Sequence, residues 1–248
     1  MHSELPNLIT LLAGIFHHAA WTKYLIIWEN VCFALIIVIF LTIIAYFGCR
    51  KRMMIPAGRL QNALELFVSL VDDFVCGILG KQGRKYVPFI GTLFIYILCM
   101  NLAGLIPFMR SATSSLSTTF ALALCVFLYV HYSAIRELGF IGYIDHLMGK
   151  PRGALALTIV LPLFMFLMHI VSELIKPVSL SLRLRSNIFA DDTLLAALSA
   201  FGIKGLPLLL FCTFIVIISA FVQAMVFSLL STIYFALFLV EEEHQQAS

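Results

Sequence analysis

Residues 24–48 read YLIIWENVCFALIIVIFLTIIAYFG, a run of 25 residues whose one charge is Glu29. A helix of about 20 apolar residues, rising 1.5 Å at each, crosses the roughly 30 Å hydrocarbon core of a bilayer. This run therefore predicts a transmembrane helix, and comparable runs recur at 87–108, 118–135, 154–200 and 206–240. Composition agrees. The chain is 62% hydrophobic and 12% charged, with a mean hydropathy of +1.03, against about 25% charged residues in soluble domains. The expected class is an all-α polytopic membrane protein with about five transmembrane helices, all in one membrane domain. A net charge of +3 gives no reason to expect a nucleic-acid partner.

Seven basic residues lie between Arg50 and Lys85, whereas the stretch 107–117 holds only Arg110. Positive charge stays cytoplasmic, which puts the N-terminus outside and the 50–85 segment inside; Arg136, Lys150 and Arg152 agree. Residues 59–80 place Leu60, Leu64, Phe67, Val71 and Phe74 at helical spacing, the pattern of an amphipathic helix on the cytoplasmic membrane face. No basic n-region with a short apolar core and a small-residue cleavage site precedes the first run. The expectation is no cleaved signal, with the first span directing insertion. Cys32, Cys49, Cys76, Cys99, Cys125 and Cys212 stand singly and read as small hydrophobes rather than metal or redox groups. No metal or cofactor is expected, and no GxxxxGK[ST] motif offers a nucleotide site.

The segment 154–200 has 47 residues and no turn signal; as one helix it would reach about 70 Å. The last run, 206–240, is also too long for an upright helix. Two overlong helices in succession predict a long tilted hairpin turning between 202 and 207, followed by a polar cytoplasmic tail at 241–248.

Within the first of these helices, LIKPVSLSLRLRSNIFADDTLL carries Lys176, Arg183, Arg185, Asp191 and Asp192. An unpaired charge at mid-membrane costs at least about 2.5–3.5 kcal/mol, so such groups face protein or water. His169, Ser172, Lys176, Ser179, Arg183 and Asn187 recur at steps of three and four on one helix face. Asp191 and Glu173 lie about 80° round from Arg183, while Arg185 and Asp192 lie opposite. No carboxylate four residues on neutralises Arg183, whose partner must come from elsewhere. For Arg185, Lys176 and Lys204 the structural reading, ion pairing or snorkelling, stands; for Arg183 the functional reading is preferred. On the last helix Ser219, Gln223 and Tyr234 share a face, and Gln223 is the hardest of these to satisfy locally.

KPVSLSLRLRSNIFADD resembles the signature of the F-type ATP synthase membrane subunit a family. MNLAGLIP (100–107), STTFALAL (117–124), QAMVFSLLSTIY (223–234) and GRLQNALELFV (58–68) resemble the family's other segments, in the same order. The resemblance implies a non-catalytic stator subunit of the Fo sector with two aqueous half-channels for protons. Arg183 matches the essential arginine, Asn187 the asparagine one turn on, Gln223 the glutamine facing it, and Asp192 the acidic position of the proton path. Asp191, Glu173, His169, Ser172 and Asn101 fall near the half-channels. The implied partners are the c-ring, whose buried carboxylates pass Arg183, the peripheral stalk of subunit b, and lipid. The implied location is a bacterial plasma membrane or, as the alternative, an organelle inner membrane or thylakoid. Arg185, Ser115 and Val216 depart from the family pattern, and Asp191 is positioned to supply the ionisable group that Val216 lacks. A stand-alone secondary ion transporter and a non-transporting scaffold are the rival classes.

Overall fold

A computed structural model describes residues 29–49, 59–106, 115–148 and 157–246. The start of the first apolar run (24–28), the basic residues 50–52, the loop with Arg110, Lys150 and Arg152, residues 154–156 and residues 247–248 lie outside the described residues. The helices are α1 (Glu29–Cys49), α2 (Arg59–Leu79), a 3₁₀ turn (Lys81–Tyr86), α3 (Val87–Ala103), α4 (Leu116–Met148), α5 (Leu157–Ser199), a second 3₁₀ turn (Gly202–Gly205) and α6 (Leu206–Gln246). Five stretches among the described residues are long and apolar enough to cross a membrane: Val31–Gly48, Lys81–Ala103, Leu116–Glu137, Phe164–Ser199 and Leu206–Leu237. The chain is an all-α polytopic membrane protein.

The core lies where α3, α4, α5 and α6 meet, between Ile90 and Ile97, Val126 and Val130, Leu180 and Leu184, and Ala224 and Phe227. Helix α1 stands at the edge, touching α3 through Phe33, Ile37, Met100 and Ala103. The apolar stripe of α2 meets protein: Val71 and Phe74 pack on the core, and the Phe67 ring stacks 5.9 Å from that of Phe94. Flanking that stripe, Leu66, Val68 and Leu70 of α2 are exposed. At the same end of the bundle Tyr86 donates to Glu137 at 2.7 Å, Lys85 pairs with the same carboxylate, and the Tyr86 ring stacks 4.3 Å from Phe235. That end carries Lys81, Arg84 and Lys85, part of the segment expected on the cytoplasmic side. Phe227 is fully buried among the four helices. Phe227→Ala is expected to cost about 3–5 kcal/mol, read as a lower midpoint for heat-induced loss of the assembled subunit in detergent.

Two features shape the site. The spans in α5 and α6 have 36 and 32 residues, about 54 and 48 Å at 1.5 Å each. A straight helix of that length kept inside a slab of about 30 Å lies roughly 50° or more off the membrane normal. The turn between them uses Gly202 at φ 59°, a left-handed conformation that glycine adopts without a Cβ penalty. Helix α6 continues through residues 241–246, where the sequence pattern suggested a tail beyond 240. Secondly, α4 is broken at Gly139 (φ 72°, ψ 164°), a backbone region essentially reserved for glycine. Beyond the break the chain turns back on α4.

Candidate functional site

Helix α5 carries a polar cleft on each side of Arg183. The one nearer its C-terminus is about 340 Å³ and is lined by Asn101 and Gly104 at the end of α3, Asn187, Asp191 and Asp192 of α5, and Val216 and Ala220 of α6. Asn187 Nδ2 donates to Ser219 Oγ at 3.0 Å, and the Ser219 hydroxyl donates to Asp191 Oδ2 at 3.3 Å. One serine thus ties α5 to α6 and fixes both an amide and a carboxylate beside the cleft. Val216 of α6 is buried and lines the same cleft as the two aspartates, which bring acid to it from α5.

The second cleft, about 260 Å³, lies toward the basic end of the bundle. Its walls are Phe127 and Val130 of α4, Glu173, Lys176 and Leu180 of α5, and Tyr234 of α6. Lys176 pairs with Glu173 and lies 5.2 Å from the centre of the Tyr234 ring. His131 Nε2 is 3.7 Å from Glu173 Oε2, and the Tyr143 hydroxyl is 3.1 Å from His131 Nδ1. These groups are largely enclosed, with side-chain exposures of 13% for both His131 and Glu173.

Between the clefts α5 buries Leu180, Ser181 and Leu184, at 1%, 1% and 0% exposure, against Ala224 and Phe227, both at 0%. Ser181 donates to Val178 O on its own helix at 2.9 Å and offers no path across. The interior is closed at this level. Arg183 sits on the outer, exposed side of the same turn, ten residues beyond Glu173 and eight before Asp191, or about 15 and 12 Å along the axis. Among the described residues no carboxylate forms an ion pair with Arg183, though Tyr234 is near enough to feel its charge. Ser179 and Ser186, about one turn before and after it, are exposed as well, and the exposed apolar residues of α5 and α6 include Leu182, Phe189, Ile218, Phe221 and Met225.

The site residues named from sequence divide into those gathered and those not. Asn101, Asn187, Asp191 and Asp192 come together in one cleft, and Glu173 lies in the other. Ser172 is exposed, outside both clefts, and His169 contacts Met165 O on its own helix at 3.1 Å. Gln223 is buried at 6% exposure, and its Nε2 has no hydrogen-bond partner among the described residues, Arg183 included. Lys176 shares a wheel face with Arg183, but its four-carbon stem carries the charge back to Glu173. Sequence reasoning passed over His131 and Tyr143. An imidazole inside the apolar stretch LALCVFLYVHYSA was a signal in itself.

The model of the family described as ATP synthase A chain matches residues 31–236. ATP synthase subunit a of Protochlamydia amoebophila is 40% identical over 248 residues, spanning 96% of this chain and 90% of the relative. The subunits a of Moorella thermoacetica and of a Sulfurihydrogenibium species are 36% and 35% identical, over 86% and 87% of this chain and 91% and 99% of theirs. With the match running through both clefts and the turn that bears Arg183, the chain belongs to the ATP synthase A chain family, the family of subunit a.

Proposed function

We propose that this chain is the stator subunit a of the Fo sector of a rotary ATP synthase in a bacterial plasma membrane, and that its two clefts are the ends of two proton half-channels separated by Arg183. The supporting observation is the arrangement along α5: an acidic cleft, a closed level of buried Leu180 and Leu184 at which Arg183 is exposed, with Arg185 also exposed further round the helix, then a second ionisable cleft. The partner is a ring of c subunits, each carrying a membrane carboxylate, turning against the exposed apolar face of α5 and α6. Subunit b holds the chain in place, and ATP chemistry is left to other subunits.

The physics follows from the environment. A carboxylic acid facing lipid stays neutral, because desolvation disfavours its charged form. Opposite Arg183 the carboxylate form is favoured, so the ring carboxyl gives its proton to the half-channel it meets just before the arginine and takes a new one from the other half-channel just past it. The guanidinium does not release its own proton at any relevant pH, so it acts as a fixed charge that keeps the two half-channels apart. The oblique lie of α5 lets one seam meet several ring carboxylates together. Each proton crossing under 100 mV contributes about 2.3 kcal/mol.

Reconstitution separates this reading from that of a stand-alone transporter. The purified chain in liposomes is expected to pass no protons above the lipid background under an imposed potential. The same membranes carrying the whole complex acidify on ATP addition, and the chain comigrates in mild detergent with a multicopy hairpin proteolipid. Proton flux through the isolated chain at the rate of the complex would assign it to the transporters.

A further inference from the structure

Beside the cytoplasmic-side cleft, against its lining residues Phe127 and Glu173, stands an imidazole that the matched signature does not explain. His131 is held on three sides. Its Nδ1 lies 3.1 Å from the Tyr143 hydroxyl, its Nε2 lies 3.7 Å from Glu173 Oε2, and the Phe127 ring stands edge-on at 4.0 Å. Tyr143 is twelve residues further along α4; in an unbroken helix it would stand about 18 Å away along the axis. Only the break at Gly139, in a conformation essentially closed to other residues, brings it back to the ring. A fold that bends a helix to place a phenol on a histidine nitrogen has defined both ends of that histidine.

Resting on the half-channel reading above, we propose that His131 carries protons in the cytoplasmic-side cleft, exchanging them between the Glu173 carboxylate and the aqueous side at Tyr143. The steps balance one proton in against one proton out. With Nδ1–H donating to the Tyr143 oxygen, Nε2 presents its lone pair to Glu173. A proton passed from the Glu173 side then gives an imidazolium. Loss of the Nδ1 proton to water beside Tyr143 returns a neutral ring, now bearing its hydrogen on Nε2, and the Tyr143 hydroxyl turns to donate to Nδ1. Exchange with solvent water, which takes the Nε2 hydrogen and returns one to Nδ1, restores the first form. The 3.7 Å gap exceeds a hydrogen bond and is closed by a small swing of the carboxylate.

The neighbours suit this role. Lys176 holds the other Glu173 oxygen and is itself placed over the Tyr234 ring. Among the described residues, the ionisable groups facing His131 include Glu173 and Lys176 from α5 and Tyr143 from beyond the break, with Tyr234 of α6 behind Lys176. Burial, then the Glu173 charge, raises the Tyr143 phenol above its ordinary pKa; it keeps its hydrogen near neutrality and serves as a rotor rather than an acid. Histidine alone among these groups has an ordinary pKa near the working pH.

Inverted vesicles carrying the assembled complex expose the cytoplasmic face to the medium. In them His131→Gln, which keeps hydrogen-bonding capacity but cannot titrate, is expected to slow ATP-driven acidification about tenfold or more and to flatten its dependence on medium pH between about 6 and 8. Tyr143→Phe, which removes one hydroxyl and leaves the packing, is expected to slow pumping less and to shift the same pH dependence. Wild-type rate and pH profile in both variants would overturn the proposal. So would a slowed His131→Gln enzyme whose pH profile stays unchanged, because that is the mark of a packing role. If His131→Gln does not assemble, Tyr143→Phe decides alone: an unchanged pH profile rejects the relay. Arg183→Ala in parallel vesicles keeps the two readings apart, since retained pumping there would reject the stator assignment itself.

Discussion

Arg183→Ala abolishes ATP-driven proton pumping while the complex still assembles: this is the largest single effect expected from the structure. A unit charge about 4 Å from a carboxylate, at an effective dielectric near 20, is worth about 4 kcal/mol. That is roughly a thousandfold in the acid dissociation of a ring carboxyl brought opposite it. Without the charge the carboxyl stays protonated through the seam, and the turning ring carries its proton past the level where the half-channels part. Assembly is kept because Arg183 is exposed on its helix and forms no ion pair among the described residues. Arg183→Lys is expected to do nearly as badly, because an ammonium presents no planar fork and loses its proton when desolvated. Acidification of inverted vesicles, with subunit content checked by gel, reads both variants. Normal pumping by an assembled Arg183→Ala complex would remove the arginine from the mechanism.

The second large effect concerns the other cleft. Asp191 is fixed by Ser219, itself held by Asn187, and Asp192 lines the same space. Asp191→Asn keeps an oxygen for the Ser219 hydroxyl and removes the capacity to take a proton at neutral pH. Either single Asn variant is expected to slow coupled proton passage several-fold, one acid covering for its neighbour. The double variant is expected to lose about a hundredfold, more than the product of the two, because both acids share one cavity and do not act independently. Initial rates of vesicle acidification test this. A double variant at wild-type rate would leave both aspartates to structure.

Much of the architecture was legible because lipid imposes simple rules. Long apolar runs became helices, and the excess length of 154–200 and 206–240 corresponds to two continuous helices joined by a tight turn. On the site, helical spacing identified the open Arg183 face, and the aspartates two turns on do share a cleft with Asn101. Spacing failed where a side chain or the backbone left the ideal helix. Lys176 belongs to the Arg183 face on a wheel, yet three to four flexible bonds take its charge to Glu173. Tyr143 meets His131 only because Gly139 breaks α4, and no periodicity at 3.6 residues joins positions twelve apart. The stripe on α2 was correctly apolar, but a stripe does not say whether lipid or protein will cover it; here Phe67, Val71 and Phe74 meet the bundle.

The central claim is that two separate aqueous routes end on either side of the Arg183 level. Cysteine accessibility tests it most directly. In a functional background with the native cysteines replaced, Asp191→Cys and Glu173→Cys are placed one at a time, and oriented vesicles are treated with a small membrane-impermeant thiol reagent. The account predicts that the cysteine at 191 reacts only from the face opposite the cytoplasm, and the one at 173 only from the cytoplasmic face. Reaction of both from the same side would contradict it, since a single continuous cavity would then join the clefts that Leu180 and Leu184 are said to part.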